Sequence, residues 1–224
     1  MRVNSRRRKN HIHRLKLNSG WVTAHAAKQR LVHNHFKSIM GHGQARTRDF
    51  NWEGLTFVQQ DLQSLGNPFT EEEVKNAIDQ MPSDKAPGPD GFTGAFFKKC
   101  WGLIKVDVMR VINLFGNLHS ENFHWLNSAN IVLLPKKDGA EEVSDYRPIS
   151  LIHTIAKIIS KMLALRLGPH MNNLVSNAQS AFIKKRSIHD NFLYVKNLAR
   201  RFHKGKTPAL LFKLDIRKAF DSVR

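Results

Sequence analysis

The chain has 224 residues, 41% of them apolar, and carries 36 Lys and Arg against 18 Asp and Glu, a net charge of +18. One cysteine, Cys100, excludes a disulfide scaffold and a cysteine-built zinc site, and no apolar run approaches the roughly 20 residues that span a bilayer. So large a cationic excess points to a polyanionic partner, nucleic acid first.

The charge is uneven along the chain. Residues 1–48 hold 12 basic residues and no acidic one, residues 49–95 hold 2 and 9, and residues 96–224 hold 22 and 9. A basic arm, an acidic waist and a basic body read as units with different partners. Arg6, Arg7, Arg8 and Lys9 alone amount to a weak nuclear-import signal. The acid-free arm as a whole argues for phosphate contact. No apolar stretch follows the N-terminal charges, as a secretory leader would need. His11/His13 and His33/His35 lack a complete set of four zinc ligands.

In chain order, Leu31, Val32, His35, Phe36 and Ile39 have helical spacing and stop near Gly41. A polar linker follows to residue 68. Thr70 and Glu73 form a capping-box pattern with a Phe69–Val74 staple, and Pro82 ends the helix they open. Helical spacing resumes from Thr93 through Phe96, Phe97 and Trp101, and again from Val106 to Leu118. Residues 130–135 are a short apolar run between turn formers, hence a strand, with Asp138-Gly139 as hairpin chemistry. Ser150 is expected to open a helix with Ile152, Ile155, Ile159, Met162 and Arg166 on one stripe, ended by Gly168-Pro169. Ser187 opens another, faced by Ile188, Phe192, Val195, Leu198 and Phe202. Residues 209–214 read as a buried strand that delivers Asp215 at its C-terminal end.

Four stretches carry the chemistry. The first is a stiff turn, Lys85-Ala86-Pro87-Gly88-Pro89-Asp90-Gly91. Next, Leu134-Pro135-Lys136-Lys137-Asp138-Gly139 and Asp145-Tyr146-Arg147-Pro148 set cations on a hairpin. A basic loop, Gln179 to Ser187, leads into a capped helix. The last runs from Leu211 through Asp215, Phe220 and Asp221 to Val223. An arginine fork can grip phosphate oxygens bidentately, and lysines add point charge. An aspartate at the end of a buried strand is costly unless paired or metal-bound. Asp221 reads as a helix N-cap.

In this order and spacing the four stretches resemble the N-terminal half of a non-LTR (LINE-type) retrotransposon reverse transcriptase of plant type, from about Thr70 onward. The resemblance implies an α+β fold of mostly helical fingers with one β-hairpin and the first strand of a palm sheet. It divides the chain into a basic connector arm (1–48), a linker (49–68), the fingers region (69–208) and the start of the palm (209–224). It makes Asp215 the first catalytic, metal-binding aspartate, with the Ile216 backbone beside the same Mg²⁺. Phe220 becomes the aromatic gate against the 2′-OH, and Lys136, Lys137 and Arg147 the holders of the incoming deoxynucleoside triphosphate. Gln179, Phe182, Arg186 and Ser187 fall on the template side. The implied partners are an RNA template, a DNA primer and the remaining palm and thumb, and the implied location is nuclear. The family's Asp-Asp turn does not occur in this sequence, so the expectation is an RNA-directed DNA polymerase fragment that is inactive alone. The alternatives are a non-catalytic nucleic-acid-binding module or a degenerate remnant.

Overall fold

The computed structural model describes residues 11–17, 20–40, 51, 61–117 and 123–214. They are helices with two small two-stranded sheets, an α+β architecture. The chain splits into two compact units: Met1–Leu55 with Ile131–Ser150 and Leu214–Arg224, and Thr56–Asn130 with Leu151–Lys213.

In the first unit, β1 (Leu15–Leu17) pairs antiparallel with β2 (Gly20–Val22), and α1 (His25–Met40) follows. The arm therefore has structure that its charge does not announce. Leu15 is fully buried, and it clusters with Phe36, Val143 and Tyr146, with Leu31, Val32 and Ile39 packed around them. The helical stripe expected at 31–39 is the face that builds this core. Lys16 N–H donates to the Glu141 carbonyl at 2.8 Å, tying the arm to the loop 136–145. Strands β3 (Ala129–Pro135) and β4 (Tyr146–Ile152) form the second sheet. Gly139 sits at φ +70° in the turn after β3, a conformation that side chains resist.

The second unit is a helical core. Helix α2 (Glu71–Asp79) opens with the expected capping box: Thr70 Oγ1 accepts from Glu73 N–H, and the Glu73 carboxylate accepts from Thr70 N–H. Glu71, Glu72 and Glu73 complement the helix dipole in the first turn. Val74, Ala77 and Ile78 turn inward. They meet Phe97 from α3 (Gly94–Lys99), Trp101, Val108 and Ile112 from α4 (Trp101–Gly116), and Ile155, Ile158, Ile159 and Met162 from α6 (Thr154–Leu167). Leu126 of the short helix α5 (Phe123–Leu126) packs against it, and α7 (Met171–Leu174) and α8 (Ile188–Lys204) follow in the chain.

Two expectations need correction. Ser150 does not open α6: it lies in β4, whose pairing with β3 holds the backbone extended to Ile152, and the helix begins at Thr154. Residues 209–214 are not a buried strand. They run unpaired, with Leu210, Leu211, Phe212 and Leu214 73–90% exposed. Strand preference is realised only against a neighbouring ladder, and no described strand lies beside them. The expected apolar face of α8 is likewise exposed over its first half, where Ile188 and Phe192 are 66% exposed, whereas Leu198 and Phe202 are half-buried.

Candidate nucleic-acid interface

The cations of the first unit sit at the closed end of the β3–β4 hairpin, and they are not equivalent. Lys136 donates through its backbone to the Asp145 carbonyl and through Nζ to the Ser144 carbonyl at 2.6 Å. Lys137 Nζ lies 2.8 Å from the Asp145 carboxylate. Asp145 also accepts from the backbone N–H groups of Glu141 and Glu142. The Lys137 ammonium, followed by those two N–H groups, holds the Asp145 carboxyl down at about 2, and in return the Lys137 ammonium is held above its ordinary value. Arg147 is different. It follows the buried Tyr146 on β4, so strand alternation turns it outward, and its guanidinium is exposed with no partner among the described residues. Of the three expected phosphate holders, Arg147 is unpaired among the described residues, Lys136 leans on a carbonyl, and Lys137 is already paired to a carboxylate.

The template-side loop lies in the second unit and is built as a closed brace. Arg186 donates to the carbonyls of Ser176, Gln179 and Val175, so its guanidinium shapes the loop. Gln179 Nε2 reaches the Ala181 carbonyl at 3.3 Å. Ser187 caps α8 by accepting from His189 N–H at 3.2 Å. Asn191 Nδ2 donates back to the Ala178 carbonyl at 2.9 Å. Gln179 is exposed as well, and Phe182 is left wholly to solvent with φ +65°.

Two features escaped the reading of the sequence. The turn at 85–91 docks on the start of α6: the Asp90 carboxylate accepts from Thr154 N–H at 3.3 Å, capping the helix from 64 residues away. Thr154 Oγ1 donates to the Phe92 carbonyl, and Lys157 Nζ to the Ala86 carbonyl. Gly88 passes so close to the backbone of Ile152 and His153 that no Cβ fits. His153 Nδ1 lies 3.4 Å from Asp90, and its Nε2 lies 3.1 Å from Ser128 Oγ. That connectivity matches a hydrolytic relay, but the Ser128 hydroxyl donates to the Trp125 carbonyl at 2.8 Å. The hydroxyl is thus shared between that carbonyl and the imidazole, and the trio braces the start of α6. The second feature is Arg166. It forks onto Glu73 at 2.7 Å, donates to the carbonyls of Leu65, Asn67 and Pro68, and lies 4.1 Å over the Phe69 ring. A lone cation on an otherwise apolar stripe was its only signal.

Residues 134–224 match the reverse transcriptase (RNA-dependent DNA polymerase) family. This stretch is part of a reverse transcriptase domain. The match takes in the hairpin cations, the braced loop and Asp215. An uncharacterized 149 kDa protein of transposon TX1 from Xenopus laevis is 32% identical over 176 residues, 77% of this chain and 13% of that protein. A Pol polyprotein from a type-2 retrotransposable element of Drosophila melanogaster is 29% identical over 74% of this chain and 15% of its own length. The RNA-directed DNA polymerase from mobile element jockey of the same fly is 25% identical over 91% of this chain and 23% of its own length. These are retrotransposon proteins of the non-LTR kind, as the motif order implied. They come from animals and lend no support to a plant source. The chain spans less than a quarter of the length of each. No described helix is long and apolar enough to cross a membrane.

Asp215, Ile216, Phe220 and Asp221, the expected metal, gate and cap positions, lie outside the described residues of this reverse transcriptase region. Among the described residues no three His, Cys, Asp or Glu gather closely enough to hold a metal ion. The donor that the sequence offers at 215 is a carboxylate, the hard oxygen that Mg²⁺ prefers.

Proposed function

We propose that the chain supplies nucleotide- and template-facing parts of an RNA-directed DNA polymerase, in the manner of polymerase fingers followed by the first palm segment. The observation that carries this reading is the unbroken family match from Leu134 to the last residue, which joins the hairpin cations to Asp215. Arg147 is the principal contact to the incoming triphosphate, because it alone of the three cations is both exposed and unpaired among the described residues. Lys136 and Lys137 contribute field more than direct grip, and Asp145 keeps Lys137 turned to the hairpin. The Gln179–Ser187 loop faces the template. Asp215, with the Ile216 backbone, would hold Mg²⁺, which would neutralise charge on the transferring phosphate. Phe220 would exclude a 2′-OH, so deoxynucleotides are the substrates, with an RNA template and a DNA primer as partners. The net charge of +18 also favours a second reading, a nucleic-acid-binding module without catalysis.

A polymerase assembled from this chain and the region that follows in a relative separates the two. Arg147→Gln should raise KM for the deoxynucleotide several-fold, whereas Lys137→Gln should raise it less. Equal effects would contradict the assignment of Arg147, and a correctly folded assembly with no synthesis would favour the binding module.

A further inference from the structure

The Gln179–Ser187 loop is held on both sides of one outward-pointing ring. Ser180 and Ile183 are each 8% exposed and anchor it. Arg186 clamps it through three carbonyls, and Asn191 ties it to α8. Between the anchors, Phe182 is fully exposed in the left-handed region at φ +65°, and Lys185 shares that conformation at φ +68°. A bulky residue does not enter that region without a cost, so the brace imposes the ring's position on the backbone. Lys184 and Lys185 beside it are exposed and have no partner among the described residues. A preset aromatic face next to two free ammonium groups has the composition of a site that stacks an unpaired base and holds its phosphates. A duplex hides its base faces and would meet only the lysines.

Resting on the polymerase reading, we infer that Phe182 is a base-stacking platform for single-stranded nucleic acid, that Lys184 and Lys185 contact the adjoining phosphates, and that Arg186 positions the platform without touching the strand. The loop then acts on unpaired template ahead of the point of synthesis.

The test is fluorescence anisotropy of the full chain with a labelled oligoadenylate and with an abasic strand of equal length and charge. Phe182→Ala should weaken oligoadenylate binding by about fivefold or more, leave abasic binding unchanged, and be rescued by Phe182→Trp. Because the side chain is wholly exposed, the thermal melt of Phe182→Ala should match the unsubstituted chain. Replacing Lys184 and Lys185 with glutamine should weaken both strands and lower the salt slope by about 0.7 for each phosphate that is no longer neutralised. If Phe182→Ala changes neither strand, or weakens both equally, the platform is refuted while the polymerase reading stands. If the unsubstituted chain binds neither strand at low salt, both fall.

Discussion

Glu73→Gln tests the brace that holds the second unit together. The substitution keeps the shape and an acceptor for the Thr70 cap, and it removes the charge that faces Arg166. The hydrogen bonds from Arg166, joined by those from Thr70, pull the Glu73 carboxyl from its ordinary 4.5 to about 2. Fully realised, that difference would be worth about 3 kcal/mol. Glu73 keeps 38% of its side chain exposed, so solvent screening reduces the effect to about 1–2 kcal/mol. Arg166, only 11% exposed, retains its three carbonyls and does not become an orphan charge. For a chain of this size the loss corresponds to a fall in Tm of about 3–6 °C at pH 7. The sign of the pH dependence is fixed, because a carboxyl with a depressed folded pKa stabilises above its unfolded value and ceases to do so as pH falls through the folded one. Circular-dichroism melts should therefore show the full gap at pH 7, narrowing below about 4.5 and nearly closed at 2. A Glu73→Gln protein that melts with the unsubstituted chain at pH 7, or a gap that does not change with pH, would show that the Glu73–Arg166 pair does not stabilise the fold.

Gly88→Ala should undock the 85–91 turn, because the added Cβ would overlap the Ile152 carbonyl and lie 2.6 Å from His153 N. A cost of about 2–4 kcal/mol in urea melts, with faster amide exchange at Thr154, is expected; Gly102→Ala, with open space around it, is the silent control. Affinity for single-stranded RNA should fall steeply with salt, and binding that stays level between low and physiological salt would remove the basic arm from the account. Deleting the arm is a poor way to test this, since Leu15 and Phe36 would leave Val143 and Tyr146 uncovered. Glutamine at Lys16, Arg30 and Lys37 lowers the charge with less damage, and should flatten the slope.

What could be read from the sequence was local. The Thr70–Glu73 box is complete within four residues, and the 31–39 stripe states its own period, so both elements stand where spacing puts them. Interactions between distant residues did not declare themselves. Asp90 caps a helix 64 residues on, and Arg166 meets Glu73 across 93; neither partner is visible from its own neighbourhood. The start of α6 was misplaced for a related reason, because Ser150 looks like a cap until β3 claims it for a strand. At the candidate site, composition identified the cations but not their state. Lys137, Arg147 and Arg186 are alike as basic residues, yet one is paired to Asp145, one is unpaired among the described residues, and one is bonded to its own loop. Residues 209–214 show the reverse failure: their pattern is that of a strand, and no described strand is there to pair with them.

The proposed function turns on Asp215 as a residue of a polymerase centre. It is tested most directly by primer extension with the chain fused to the region that follows the matching stretch in the jockey RNA-directed DNA polymerase. Magnesium-dependent extension on an RNA template is expected, reduced to background by Asp215→Asn and left nearly intact by Asp221→Asn if Asp221 is the helix cap its sequence position suggests, since asparagine caps about as well as aspartate. A fusion that extends primers as well with Asp215→Asn as without it would remove Asp215 from the polymerase centre.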